Sequence, residues 1–271
     1  NLLAGRALKK AMHPFIASEL GSDFTLEKAL TLGMLPVIWG SLDREEALDA
    51  YISLYIQEEV QFEGLVRNIG NFSRFLSVIA FSHGCSLNVN NIAGECEVKR
   101  STVDEYILIL QDLLLAYLIP VFTKRAQRTL ASHPKFYLFD AGVFRSLRKI
   151  GPADVNSEID GLALEGLVFQ HLKAWCDYSK GTWEIFYWRT KAGLEVDFII
   201  YGETGFWAIE VKNNSKVFSK DVRGLLHFTE DYPECKTLLL YRGKEKFLEK
   251  GVLCMSCEAF LQELTPDIPI F

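Results

Sequence analysis

Residues 195–212 read "EVDFIIYGETGFWAIEVK", two runs of β-branched and aromatic residues on either side of a Gly-containing turn. Such side chains suit a pleated, half-buried surface, and "YGETG" at 201–205 supplies the turn residues of a tight hairpin, so two antiparallel strands are expected here. Side chains alternate faces along a strand. Glu210 and Lys212 should therefore point one way and Ile209 and Val211 the other, while Glu195, Asp197 and Ile199 share one face of the preceding strand. Across the hairpin, Asp197 and Glu210 are expected to project together beside Lys212.

Two carboxylates a few ångströms apart raise each other's pKa unless a cation lies between them. A hard divalent ion meets that need, because Mg2+ or Mn2+ takes carboxylates, backbone carbonyls and waters as ligands. A neighbouring lysine can orient a metal-bound water or offset charge on a phosphate, which outlines a site for metal-assisted phosphodiester hydrolysis. A third carboxylate lies upstream. In "GLALEGLVFQHLKAW" at 161–175, Glu165 shares a helical stripe with Leu162, Val168, Phe169 and Leu172. An ionised side chain there needs a partner, either a metal or a lysine from a neighbouring sheet. The plainer alternative is that Glu165 bridges near its helix start and that Asp197 and Glu210 pair with Arg189 or Lys191.

Working outward, the pattern is helix (161–176), strands (182–188, 194–201 and 206–212), helix (218–230) and strand (236–241). A helical crossover between the last two strands allows them to be parallel. Upstream, residues 72–122 carry three helical patterns and then "AYLIPVF", a short strand-like run. The third helix is expected to open at "STVD" (101–104), with Ser101 as cap and Asp104 three residues on, followed by a stripe of Val103, Ile107, Leu110, Leu114 and Leu118. Helix, helix-turn-helix and then strands is the order of a winged helix. Residues 1–70 alternate helical patterns with Gly and Pro punctuation.

At 271 residues the chain is long enough for more than one structural unit, and 49% hydrophobic residues can fill substantial cores. The net charge of −6 argues against a general nucleic-acid coat, so local charge matters more. From Glu19 to Glu63 ten acidic residues face only Lys28 and Arg44, a surface that repels phosphate. Between Pro120 and Ile150 the balance inverts, with seven basic residues against Asp140 alone. No apolar run is long enough to span a bilayer, and nothing at the start resembles a signal peptide, so a cytoplasmic protein is expected. The six cysteines are expected to be reduced thiols, and "CMSC" at 254–257 lacks a second pair at zinc spacing. The five histidines show no ligand spacing. The start at Asn1 suggests a fragment of a longer protein.

The order of elements around Glu165, Asp197 and Glu210-x-Lys212 is similar to the PD-(D/E)XK nuclease-like fold, an α-β-β-β-α-β arrangement. "YWRTKAGLEVDFII" and "WAIEVK" resemble its form at the C-terminus of prokaryotic AAA-type ATPases of uncharacterised role. The resemblance implies that Glu165, Asp197, Glu210 and Lys212 are the catalytic positions. Asp197, Glu210 and the Val211 carbonyl would hold Mg2+ or Mn2+, with Glu165 completing the site. It extends upstream: "LLAGRALKKAMHPFIASEL" looks like the end of an ATPase core, "LGMLPVI" and "YISLYIQEEV" like its helical lid, and 72–122 like the winged helix that follows. The expected parts are thus 1–70 (core remnant and lid), 71–150 (winged helix with the basic segment) and 151–271 (nuclease-like). No G-x-x-x-x-G-K-[ST] loop occurs among these residues, so ATP belongs only to a full-length protein, and Arg6 as a phosphate sensor has no support in this chain.

DNA is the expected partner, with a protein partner or a second copy as the alternative. Arg189 and Lys191 flank the proposed metal site; Lys216, Lys220 and Arg223 follow the Glu-x-Lys strand; Lys99 and Arg100 open the third helix; and Lys124 and Arg125 lead the basic segment. Asp104 and Glu105 stand directly behind Lys99 and Arg100 and oppose base reading there. A non-catalytic interaction or regulatory module of an ATPase is the competing function.

Overall fold

The computed structural model describes residues 10–56, 66, 68–126 and 128–271. Arg6, the start of the expected core remnant and the end of "YISLYIQEEV" lie outside the described residues. The N-terminal segment forms α1 (Ala17–Leu20), α2 (Leu26–Leu32), α3 (Pro36–Trp39) and α4 (Arg44–Ala50), followed by a π-helical turn at Tyr51–Ile56. Thr25 and Asp43 cap α2 and α4 by accepting from Lys28 N and Glu46 N, and Pro36 opens α3, where a missing N–H costs nothing.

The middle of the chain builds α5 (Ile69–Ile79), β1 (Cys85–Ser86), α6 (Val89–Cys96), α7 (Arg100–Asp112), β2 (Ala116–Ile119), β3 (Lys135–Leu138) and α8 (Ala141–Leu147). The strands form an antiparallel sheet in the order β1-β3-β2, with Cys85 and Leu118 both opposite Phe136. Two expectations fail at α7. The helix is already formed at Arg100, so Ser101 lies inside its first turn and Lys99 is the N-cap, without a side-chain cap bond. The apolar stripe also stops at Leu110: Leu114 lies beyond the helix end at positive φ and is half exposed, and Leu118 belongs to β2. Asp140 is buried and caps α8 through Val143 N at 3.0 Å while accepting from Met34 N at 2.6 Å, which ties the N-terminal segment to this unit.

The C-terminal half is organised by α9 (Asn156–Tyr178), β4 (Trp183–Arg189), β5 (Glu195–Gly202), β6 (Gly205–Lys212), α10 (Arg223–Asp231) and β7 (Lys236–Tyr241), then β8 (Phe247–Glu249), β9 (Val252–Ser256) and α11 (Cys257–Glu263). The six-stranded mixed sheet runs β4-β5-β6-β7-β9-β8. β5 and β6 form the expected hairpin, closing at Gly202 opposite Gly205, and β6 and β7 are parallel across the α10 crossover. Phe198, Ile209 and Val211 share one buried layer with α9, while Ile199, Ala208 and Leu239 share the other with Leu225 and Phe228 of α10.

Helix bounds shift for local reasons. The expected helix at 218–230 begins only at Arg223, because Asp221 accepts from Phe218 N and donates its own N–H back to Phe218 O, both at 2.8 Å, a closed turn ahead of the helix. α9 starts five residues before the expected 161. The final hairpin and α11, absent from the sequence reading, extend the sheet on its far edge.

Residues from all three expected segments enter one continuous buried cluster. α1 is fastened to α9 by His171, whose Nε2 accepts from Ala17 N at 2.9 Å while its Nδ1 donates to Leu167 O at 2.8 Å. Burial holds His171 neutral, with its pKa down to about 4. Among the described residues, no helix is long and apolar enough to cross a membrane.

Candidate functional site

The carboxylates gather where β5 and β6 leave their hairpin register. The last paired residues are Phe198 and Ile209, one step short of Asp197 and Glu210, so these two follow as cross-strand neighbours. Val211 N donates to Asp197 Oδ2 at 2.9 Å, placing that carboxylate directly against β6. Asp197 and Glu210 are both buried in a protein where unpaired carboxylates rarely are.

The simple parity of β5 is broken at Asp197. Phe186 pairs with Ile199 and Trp188 with Val196, so one residue of β4, Tyr187, faces two of β5, Asp197 and Phe198. This is the count of a β-bulge, which re-aims side chains and is common beside functional sites. Val196 thereby falls into the α10 layer with Ile199. The expectation that Glu195, Asp197 and Ile199 share one face is corrected accordingly: Glu195 is turned toward the α9 side, and Asp197 sits at the bulge where it reaches both neighbours.

The partner on the α9 side is Lys135 of β3. Its ammonium lies 3.0 Å from Glu165 Oε1, 2.5 Å from Glu195 Oε1 and 3.4 Å from Asp197 Oδ1, and the side chain is 2% exposed. Tyr137, two residues on and so on the same face of β3, donates its hydroxyl to Glu165 Oε1. Glu165 thus finds the lysine from a neighbouring sheet that its place on an apolar stripe required. Arg189 approaches Glu195 Oε2 at 3.5 Å, and Lys212 is bound to Glu210 Oε1. The alternative pairing of Asp197 or Glu210 with Arg189 or Lys191 is therefore not the one observed. Glu210 Oε2 is buried without a partner among the described residues.

The electrostatics follow from burial and crowding. Desolvation, reinforced by the charge of Asp197, pushes both Glu165 and Glu210 above the ordinary carboxylate range, against the pull of Lys135 and Lys212 respectively. Burial works against the Lys135 ammonium, but Glu165, Tyr137, Asp197 and Glu195 outweigh it and hold its pKa well above the usual lysine value. Lys212 is likewise held up by Glu210 and Asp197, which overcome its desolvation.

A pH dependence follows. The Glu210 pKa rises from 4.5 to about 8 on folding, so its contribution to stability is fully present below 4.5 and is lost as pH rises through 8. Buried neutral His83 and His171 act in the opposite sense, but only below their ordinary pKa of 6.5. Between pH 6.5 and 8 the protein without bound metal should therefore lose stability to urea, and Glu210→Gln should lose less. Equal slopes for the two proteins would show that Glu210 carries no such strain.

The expected phosphate-binding residues divide into two groups. Lys191, Lys216, Lys220 and Arg223 are exposed, as are Lys99 and Arg100, the latter 3.7 Å from Asp104. Lys124 and Arg125, by contrast, pair with Glu184 and Glu234, and three more cations of the basic segment are similarly engaged: Arg128 with Glu230 and Asp231, Arg145 with Asp160, Arg148 with Asp154. What reads in the sequence as a free basic stretch is in large part the counter-charge of the C-terminal half.

Lys135, Tyr137 and Glu195 are the residues that sequence reasoning missed as members of the site. The signal was present: "KFYLF" at 135–139 puts one lysine at the head of an apolar strand, the same anomaly that drew attention to Asp197. Among the described residues, no three His, Cys, Asp or Glu side chains already surround one point as a metal shell. The donor chemistry still suits a hard cation. Four carboxylates face two lysines and Arg189 here, and one buried carboxylate oxygen has no partner among the described residues.

Comparison with known proteins gives partial matches. Residues 23–154 match a domain of unknown function (DUF8612), and residues 160–260 match another (DUF4143), a domain typically found at the C-terminus of AAA-ATPase-like proteins. Two uncharacterized proteins, Mb2031c of Mycobacterium bovis and Rv2008c of Mycobacterium tuberculosis, are each 24% identical to the chain over 252 residues, covering 90% of it and 55% of their own length. The chain spans about half the length of the curated relatives it matches.

Proposed function

We propose that residues 151–271 are a PD-(D/E)XK nuclease-like domain that hydrolyses phosphodiester bonds in DNA with Mg2+ or Mn2+. In this proposal residues 71–150 are a winged helix and residues 1–70 the end of an AAA-type ATPase core with its lid, working in the cytoplasm. The observation that carries the reading is the convergence of Glu165, Asp197, Glu210 and Lys212 from α9, β5 and β6 on one buried cluster. The order of α5 to β3 around a three-stranded antiparallel sheet supports the winged helix.

Asp197, Glu210 and the Val211 carbonyl would hold the ion, and Glu165 would complete its surroundings. When bound, the ion supplies Lewis-acid stabilisation of phosphate oxygens and lowers the pKa of a water. Lys212, fixed by Glu210 Oε1 and held cationic, orients the attacking water and offsets charge gathering on the phosphate. Exposed Lys191, Lys220 and Arg223 supply contacts for flanking phosphates.

Plasmid and single-stranded DNA incubated with the protein in Mg2+, Mn2+ or EDTA test the reading: cutting is expected only with metal, and its absence under every condition would remove the nuclease. One observation favours a second reading. Lys135 already pairs with Glu165, Glu195 and Asp197, and much of the basic segment is spent on internal pairs. A protein-contact module with no chemistry would look the same, and it would bind DNA weakly and cut none.

A further inference from the structure

We infer that Lys135 and a divalent cation are alternative occupants of one carboxylate cluster, so that the cation enters only when the Lys135 ammonium leaves. This rests on the metal-site reading above and adds to it a built-in competitor from another part of the chain. The argument is an accounting of oxygens. Asp197 Oδ2 is taken by Val211 N, and Asp197 Oδ1 is the atom that Lys135 Nζ approaches at 3.4 Å. Glu165 Oε1 is shared between Lys135 and Tyr137, and Glu210 Oε1 holds Lys212. Of the two Asp197 oxygens, Oδ1 is thus the one more open to a cation, and Lys135 is its neighbour there.

A hard cation sits about 2.0–2.6 Å from each ligand oxygen, so an ion on Asp197 Oδ1 would share that oxygen with an ammonium 3.4 Å from it. Two cations in that space repel in a setting where water is largely excluded. Lys135 reaches the cluster from the central strand of the three-stranded sheet, so its departure is coupled to how that unit sits against α9. A free site and an engaged β3 exclude one another.

Mn2+ binding to the whole chain, counted by equilibrium dialysis and read in parallel as a shift in melting temperature, tests the inference. Lys135→Gln should bind Mn2+ about tenfold more tightly than wild type or better, the scale on which an adjacent charge acts on a carboxylate. Its melting temperature should be lower without metal and recover with it, while Lys135→Arg, which keeps the charge, should behave as wild type. Equal affinity in wild type and Lys135→Gln overturns the competition and leaves the metal site standing. No Mn2+ on either protein removes both. If Lys135→Gln does not fold in EDTA, refolding it with Mn2+ decides: recovery supports the exchange, and failure to recover overturns it.

Discussion

Gly166→Ala is expected to lower the free energy of unfolding by about 3 kcal/mol, although alanine is the better helix former by about 1 kcal/mol. Gly166 lies inside α9 against the ring of His83, and a Cβ there would stand 2.3 Å from His83 Nε2. The ring has nowhere to go. It is fully buried, stacked on Phe144 with centroids 4.1 Å apart, and its Nδ1 accepts from Leu138 N at 3.1 Å in β3. Overpacking of this kind costs about 1–3 kcal/mol, and pulling a buried donor off its acceptor adds about 1–3 kcal/mol, so the clash outweighs the helix propensity. Urea unfolding of the two proteins gives the answer; an unchanged or raised midpoint would mean that β3 and α9 are not locked together as described.

Lys212→Ala is expected to reduce metal-dependent DNA cleavage about 100-fold or more, the usual cost of removing a charge-stabilising group from a reacting centre. Two effects add. The substitution removes the cation that the proposal sets beside the phosphate, and it strips Glu210 Oε1 of its partner while Oε2 has none among the described residues. Glu210, already pushed up by burial and by Asp197, would then favour its protonated form still more and become a poorer ligand. Lys212→Arg should retain part of the activity, because it restores the charge to Glu210 with altered shape. Cleavage by Lys212→Ala at the wild-type rate would take Lys212 out of the chemistry.

The hairpin was readable because each signal in it is local: alternation along two strands and a turn with glycine at each end. Glu165 was readable for the same reason, as one carboxylate on an apolar helical stripe. Local counting fails where the neighbour intervenes. The bulge at Asp197 and Phe198 is a property of β4 and β5 together, so parity along β5 alone wrongly groups Ile199 with Glu195 and Asp197. Lys135 was read with its charged neighbours as part of a basic stretch, yet β3 is the central strand and buries it at 2% exposure. The partners of Lys124, Arg125 and Arg128 come from residues 60 or more positions away, which no window on the basic segment contains. At α7 an available cap, Ser101, was passed over because the chain is already helical one residue earlier. The short runs after Tyr241 fit strand and helix equally well until β9 finds β7 beside it.

The central claim is that Asp197, placed by the bulge between Lys135 and β6, belongs to a cation-dependent phosphodiesterase site. The direct measurement is plasmid cleavage in Mn2+ by wild type and Asp197→Asn side by side, with melting temperatures taken to verify that both are folded. The account predicts nicking and linearisation by wild type, abolished by EDTA, and a rate lower by about 100-fold or more in the folded variant. Equal cutting by both proteins, or none by either in any metal, would contradict it.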